Sequence, residues 1–135
     1  MIAVDTSAIV AVILGEPERA RFRHVIREAD KALISTVSAV EARLVIHSRR
    51  GQRGIVLTDG LLGLPIFELV PPGLTEMNAA YAAFVAYGRG SGHPASLNFG
   101  DLFSYALAKV RAVPLLFKGN DFALTDIRSA DTTAP

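Results

Sequence analysis

The chain has 135 residues, half of them hydrophobic and a fifth charged, with a formal net charge of +1. This is the length of one domain with one substantial core. The lack of cysteine removes disulfides and thiolate metal sites, and with no segment of membrane-spanning length and no basic flank ahead of an apolar leader, a cytoplasmic protein is expected. The apolar surplus points to a face buried against a partner. Charge is unevenly spread: nine of the fourteen basic residues lie between Arg19 and Arg53, a cluster that fits either a solvated helix face or a polyanion-binding surface.

The opening stretch Met1-Ile2-Ala3-Val4-Asp5-Thr6-Ser7 reads as a short buried parallel strand that stops on an acid. Asp5 then lies at a strand's carboxyl end, where open α/β sheets bind ligands. It is equally placed to cap the helix that follows, as are Thr6 and Ser7. Residues 8–14 form that helix, Gly15-Glu16-Pro17 breaks it, and a second helix runs to about Ala29 with Arg19, Arg23 and Arg27 on one face. Ala32-Leu33-Ile34-Ser35 is a second strand. Residues 36–50 form a third helix closed by Gly51, with Arg49 and Arg50 at its negative end. Residues 52–64 continue as helix, weakened by Gly54, Gly60 and Gly63.

Residues 66–70 read as a strand nearer the sheet edge, and residues 75–88 as a strongly apolar helix whose Tyr81, Phe84 and Tyr87 are packing residues. After a glycine-rich loop over 89–97, Asn98-Phe99-Gly100-Asp101 opens the last long helix. Residues 113–117 form a fourth strand and residues 125–127 a brief fifth, and the polar tail from Arg128 is expected to fray. Strands alternating with helices define an α/β fold, one domain over residues 1–135 with a mainly parallel sheet of four or five strands flanked by helices.

On this reading Asp5 and Asp121 follow buried strands while Glu41 and Asp101 fall in the first turns of helices, so all four converge on one rim of the sheet. Four carboxylates there repel one another, and each has its pKa raised unless a cation intervenes. A hard divalent ion, Mg²⁺ or Mn²⁺, takes oxygen ligands and keeps waters that a substrate phosphate can replace. It lowers the pKa of a bound water and neutralises charge developing on a phosphodiester, which is the chemistry of a metal-dependent nuclease. Taken singly, each acid has a structural explanation. Ser38-Ala39-Val40-Glu41 matches a capping box, Asp101 stands three residues after the candidate N-cap Asn98, and Asp121 and Asp126 suit turns. Asp126 is also open to a supporting role as a fifth acid. Four independent caps, however, have no reason to share one rim.

The order Val4-Asp5-Thr6-Ser7-Ala8, Ser38-Ala39-Val40-Glu41, Asn98-Phe99-Gly100-Asp101, then Leu116-Phe117-Lys118-Gly119-Asn120-Asp121-Phe122 resembles the PIN-domain family, and more closely its VapC-type toxins of type II toxin–antitoxin systems. The resemblance covers essentially the whole chain. It implies an Mg²⁺- or Mn²⁺-dependent endoribonuclease that cuts tRNA or rRNA to inhibit translation, leaves a 5′-phosphate and a 3′-hydroxyl, and is silenced by a VapB-type antitoxin. Asp5, Glu41 and Asp101 match the family's three principal acids and Asp121 the more variable fourth. In that scheme Asp5 and Asp101 bind metal most directly, and Thr6 or Ser7 either orients the attacking water or a phosphate, or is simply a cap. The resemblance also implies a homodimer formed through the later helices.

Basic residues near these acids are candidate RNA phosphate contacts: Arg43, Arg49, Arg50 and Lys118. The first helix, with Ile9, Val10, Val12, Ile13 and Leu14, and the segment 55–64 offer apolar side chains for an antitoxin segment, with Ile13 and Leu62 as its test positions. A basic antitoxin side chain reaching the acids would compete with metal for the same charge. Gly88-Arg89-Gly90-Ser91-Gly92 lacks the strand-turn-helix context of a dinucleotide site, and His24, His47 and His93 show no ligand spacing. Two other functions stay open on the sequence: a non-catalytic RNA- or protein-binding module of the same fold, and a small-molecule phosphatase.

Overall fold

The computed structural model describes residues 1–133. The remaining two positions of the tail expected to fray lie outside the described residues. The elements are β1 (Ile2–Val4), α1 (Thr6–Leu14), α2 (Arg19–Glu28), β2 (Ala32–Ser35), α3 (Thr36–Leu62), β3 (Phe67–Val70), α4 (Leu74–Tyr87), α5 (Phe99–Arg111), β4 (Leu115–Leu116) and a 3₁₀ turn, Phe122–Leu124. The strands lie in the order β3-β2-β1-β4 and every pairing is parallel, as helical crossovers between successive strands require.

The central strands separate two layers by alternation alone. Val4, Ile34 and Leu116 face one cluster with residues of α1, α2 and α3, while Ala3, Leu33 and Leu115 face a second with residues of α4 and α5. Successive residues of a strand point to opposite faces. Because both faces are covered, β1 and β2 are buried throughout and carry continuous apolar sequence. β3, at the edge, exposes Glu68 and Leu69.

Helix α3 is two arms meeting at Gly51, whose φ of 61° and ψ of −153° are non-helical. A straight helix would hold residues 43 and 59 about 24 Å apart, at 1.5 Å per residue. Instead Arg43 pairs with Asp59 at 2.8 Å, so the chain turns back on itself at the glycine. This turn buries Leu62, only 6% exposed, and it packs with Ile9 and Val12 of α1 in the core while Val10 and Ile13 lie against that core half-buried. The expected antitoxin surface on α1 and Leu62 is therefore largely interior; of the segment 55–64, Val56, Leu57 and Leu64 are the large exposed residues.

Two further expectations change at the carboxyl end. Residues 125–127 form no strand. The tail is docked rather than frayed over 128–133: Leu115 N–H donates to Arg128 O and Ala130 N–H to Leu115 O. Asp131, itself buried, accepts from Arg21 Nε at 2.6 Å. Backbone pairing to the short β4 and a partly buried ion pair hold a segment whose polarity alone gave no sign of it.

Gly51→Ala isolates the cost of this turn. A Cβ there meets nothing within 4 Å, so the penalty is conformational, and about 1–3 kcal/mol of stability should be lost in urea denaturation. An unchanged midpoint would show that the turn tolerates an L side chain.

Candidate active site

Asp5 follows directly on β1. Its backbone N–H donates to Leu116 O at 2.9 Å, tying it to β4, and its extended backbone makes it the N-cap of α1. Oδ2 accepts from Ser7 N–H at 3.0 Å and from Ser7 Oγ at 2.6 Å. Ser7 Oγ in turn accepts the backbone N–H of Lys118 at 2.9 Å. Oδ1 is buried with no hydrogen-bond partner, in a residue only 3% exposed. An unmet buried acceptor costs about 1–3 kcal/mol, more when charged. The cap reading and the site reading of Asp5 thus both hold, one on each oxygen.

The hydroxyls beside it are engaged in the fold. Thr6 Oγ1 donates to Ser38 O at 3.1 Å and Ser7 Oγ donates to Asp5, so both protons are used within the fold and each hydroxyl keeps only acceptor capacity towards the cavity it lines.

Ser35, not Ser38, caps α3, its Oγ accepting from Val37 N–H. The capping-box explanation of Glu41 therefore fails. Ser38 instead shares a buried 3.0 Å hydrogen bond with Ser104 of α5. Ser38 and Glu41 are an i, i+3 pair on α3, and Asp101 and Ser104 are another on α5, so each serine shares a face with its acid. The serine bond links the helices that carry the two carboxylates. The Glu41 carboxylate lies where a Cβ on Gly100 would be and would collide with it. With no side chain at 100, the Glu41 carboxylate of α3 lies against the start of α5.

For Asp101 the cap is real. Its N–H donates to Asn98 Oδ1 at 3.0 Å and its Oδ2 accepts from Asn98 N–H at 3.1 Å. Its carboxyl pKa is nevertheless pushed up from 3.8 to about 6, first by burial, against the bond from Asn98, and then by the negative charges of Asp5, Asp121 and Glu41. Three elements and a turn thus place their acids within one electrostatic field. Asp5, Glu41 and Asp101 line one cavity of about 300 Å³ with Ser7, Asn98 and Lys118; Asp121 is exposed outside that lining.

The cationic candidates are placed less simply. Lys118 lines the cavity, but its ammonium pairs with Glu18 at 3.1 Å and Glu16 at 3.4 Å. Arg43 is held by Asp59. Arg49 and Arg50 are exposed and stand eight and nine residues beyond Glu41, about 12–14 Å along the helix. Asp126 belongs elsewhere: it accepts from Tyr105 Oη and Lys109 Nζ, which hold its pKa down. His93 Nδ1 accepts from Ala95 N–H, with the ring edge-on to Tyr87.

Two residues at the site were not legible in the sequence. Arg89 and Phe99 border a second cavity, about 590 Å³, that shares Glu41 and Asn98 with the first. Phe99 stands three residues before Leu102 on the apolar stripe of α5, so nothing in the periodicity distinguishes it from a core residue.

The donor set suits a hard cation, being all oxygen with one buried carboxylate oxygen unmet. Among the described residues no three acidic or histidine side chains are grouped closely enough to hold an ion together as they stand. Mg²⁺ does not require such a group, since it is commonly held by one or two carboxylates, waters and substrate phosphates.

A parallel sheet in this order, with acids gathered at the carboxyl ends of β1 and β4 and at the starts of α3 and α5, is matched by the sequence: the chain belongs to the PIN-domain family, whose model covers residues 2–127. Ribonuclease VapC30 of Mycobacterium tuberculosis is 44% identical over 124 residues, 92% of this chain and 94% of that protein. Among solved structures, the sarcin-ricin loop cleaving toxin VapC20 of Mycobacterium tuberculosis superposes with a TM-score of 0.78 at 17% identity, covering 94% of this chain and 96% of that one. VapBC2 from Rickettsia felis, bound to a DNA fragment from its promoter, gives 0.73 at 13% identity and 96% of each chain.

The raised pKa of Asp101 has a stability consequence. The folded state holds this proton more tightly than the unfolded chain does, so stability falls as pH rises from about 4 through 6 and the loss is complete above. Asn at 101 keeps the acceptor for Asn98 and removes the charge. In chelator-containing buffer Asp101→Asn should melt higher than wild type at pH 7.5, with the gap closing towards pH 4. An equal or lower melting temperature at pH 7.5 would mean that the carboxylate cluster is not strained.

Proposed function

We propose that the chain is an Mg²⁺- or Mn²⁺-dependent endoribonuclease of the VapC toxin class, cutting tRNA or rRNA to inhibit translation and neutralised by a VapB-type antitoxin. One observation carries the reading: Asp5, Glu41, Asp101 and Asp121 share one field, and Asp5 Oδ1 sits within it buried and unmet. A retired site used only for binding has no need of that oxygen. The ribonuclease name and 44% identity of VapC30 support the activity.

Asp5 and Asp101 would hold the ion, with Glu41 and Asp121 completing the negative ring. When bound, such an ion polarises a phosphodiester and offsets the charge that develops on it. The chain supplies the positioning. Ser7, itself held by the Lys118 N–H, fixes one oxygen of Asp5 and leaves the other without a partner, Asn98 clamps Asp101, and the bare Gly100 makes room for Glu41. Removing the charge of Asp5 or Asp101 should lower the rate of RNA cleavage at least ~100-fold while the fold is kept, and chelation should do the same to wild type. Asp121→Asn should cost less, since Asp121 is exposed at the edge. Cleavage of RNA by Asp5→Asn or Asp101→Asn at the wild-type rate sinks the assignment.

The homodimer belongs to the same proposal. Leu74, Met77, Tyr81 and Val85 on α4 are each more than half exposed and repeat at helical spacing, giving one continuous apolar stripe. Tyr81 and Phe84, expected to pack internally, are on the exposed side of this helix. A second copy laid along α4 would cover the stripe. Met77→Asp with Tyr81→Asp should convert a dimer into a monomer by light scattering; an unchanged dimer mass would place the interface elsewhere.

A further inference from the structure

We infer that the apolar cavity beside the acids is a nucleobase subsite, in which Phe99 stacks on a base flanking the scissile phosphate and Arg89 contacts the adjoining backbone phosphate. The inference rests on the ribonuclease reading and adds to it where substrate affinity comes from. Without its ion the cleft is a poor place for a polyanion, since its carboxylates repel phosphates. The basic residues expected to offset this are neutralised or distant: Lys118 by Glu16 and Glu18, Arg43 by Asp59, Arg49 and Arg50 two turns along α3. Beyond what a bound ion supplies, affinity near the cut is left to groups beside the cleft.

The second cavity has the needed parts. Its walls are Val37, Val40 and Leu44 of α3 and Phe99 of α5, and it is continuous with the acids through Glu41 and Asn98. Phe99 is 72% exposed, Leu44 65% and Val40 54%. The Phe99 ring is steadied on one side by an edge contact to Phe103 at 5.1 Å between centroids. An aromatic face that is held yet open, against an aliphatic wall, is the arrangement on which bases stack. Arg89, on the same lining, makes no ion pair among the described residues. Its charge complements a phosphate. An apolar peptide would fit the aliphatic wall equally well, but it would not use a lone cation at the edge of an acidic cleft.

The test maps 5′-phosphate ends in total RNA treated with purified full-length protein and Mg²⁺, with Asp101→Asn as the control for the nuclease reading. Wild type should cut at sites sharing a base at one position beside the break. Phe99→Ala should relax that preference and lower the rate at subsaturating RNA by about fivefold or more, the share of one stacked base. Phe99→Tyr should restore both. Arg89→Gln should weaken cutting at all sites alike and flatten its salt dependence by about one phosphate's share. If Phe99→Ala cuts the same sites at the wild-type rate, the subsite is overturned and the groove is left to a protein segment. If wild type cuts no more than Asp101→Asn does, the nuclease reading fails and the subsite with it.

Discussion

The site depends on how one carboxylate is shared. Asp5 Oδ2 takes the N–H and hydroxyl of Ser7, whose hydroxyl is held by the backbone of Lys118. Two separate pieces of chain meet there: the junction of β1 with the first turn of α1, and the turn after β4. Because these bonds satisfy one oxygen fully, the other is fixed in a buried position with nothing to accept. The neighbouring cation does not relieve it, since the Lys118 ammonium is turned to Glu16 and Glu18. The negative field therefore stays concentrated and is felt by Asp101. Burial without compensation is costly in a purely structural acid, and a nearby cation is one arrangement that relieves it.

Much of this was legible because the relevant signals are local. β1 and β2 are continuous apolar runs, and Asn98 and Asp101 carry their reciprocal cap in their spacing. Glu41 was legible only in position: the pattern with Ser38 gave the wrong reason for it, because the helix starts three residues earlier than that motif implies. What escaped was long-range. Gly51 read as a helix stop, while the reversal that brings Arg43 to Asp59 and buries Leu62 depends on packing between the two arms. The tail escaped for a similar reason, since its order comes from β4 and Arg21, far away in sequence. Phe99 has the periodicity of a core residue, and only its position at the helix start leaves it exposed.

The same geometry explains how a nearly neutral chain can present opposite characters on neighbouring surfaces. Acids are gathered at strand ends by topology, whereas most arginines of α2 and α3 stand on solvated helix faces or in local pairs. On the proposed nuclease reading, RNA would be bound by the few groups that remain unpaired beside the cleft and by stacking, which is insensitive to charge. A buried serine pair links the helices that carry Glu41 and Asp101, and the missing side chain at Gly100 leaves room for the Glu41 carboxylate.

We propose one divalent-cation site held by Asp5 and Asp101, with Glu41 and Asp121 completing its negative ring. Titration of Mn²⁺ into the full-length protein, followed by the loss of the free-ion electron paramagnetic resonance signal, tests it without reference to any substrate. Wild type should bind saturably, with binding lost in Asp5→Asn and weakened in Glu41→Gln, both variants being folded by circular dichroism. Mn²⁺ bound as tightly by Asp5→Asn as by wild type would contradict it.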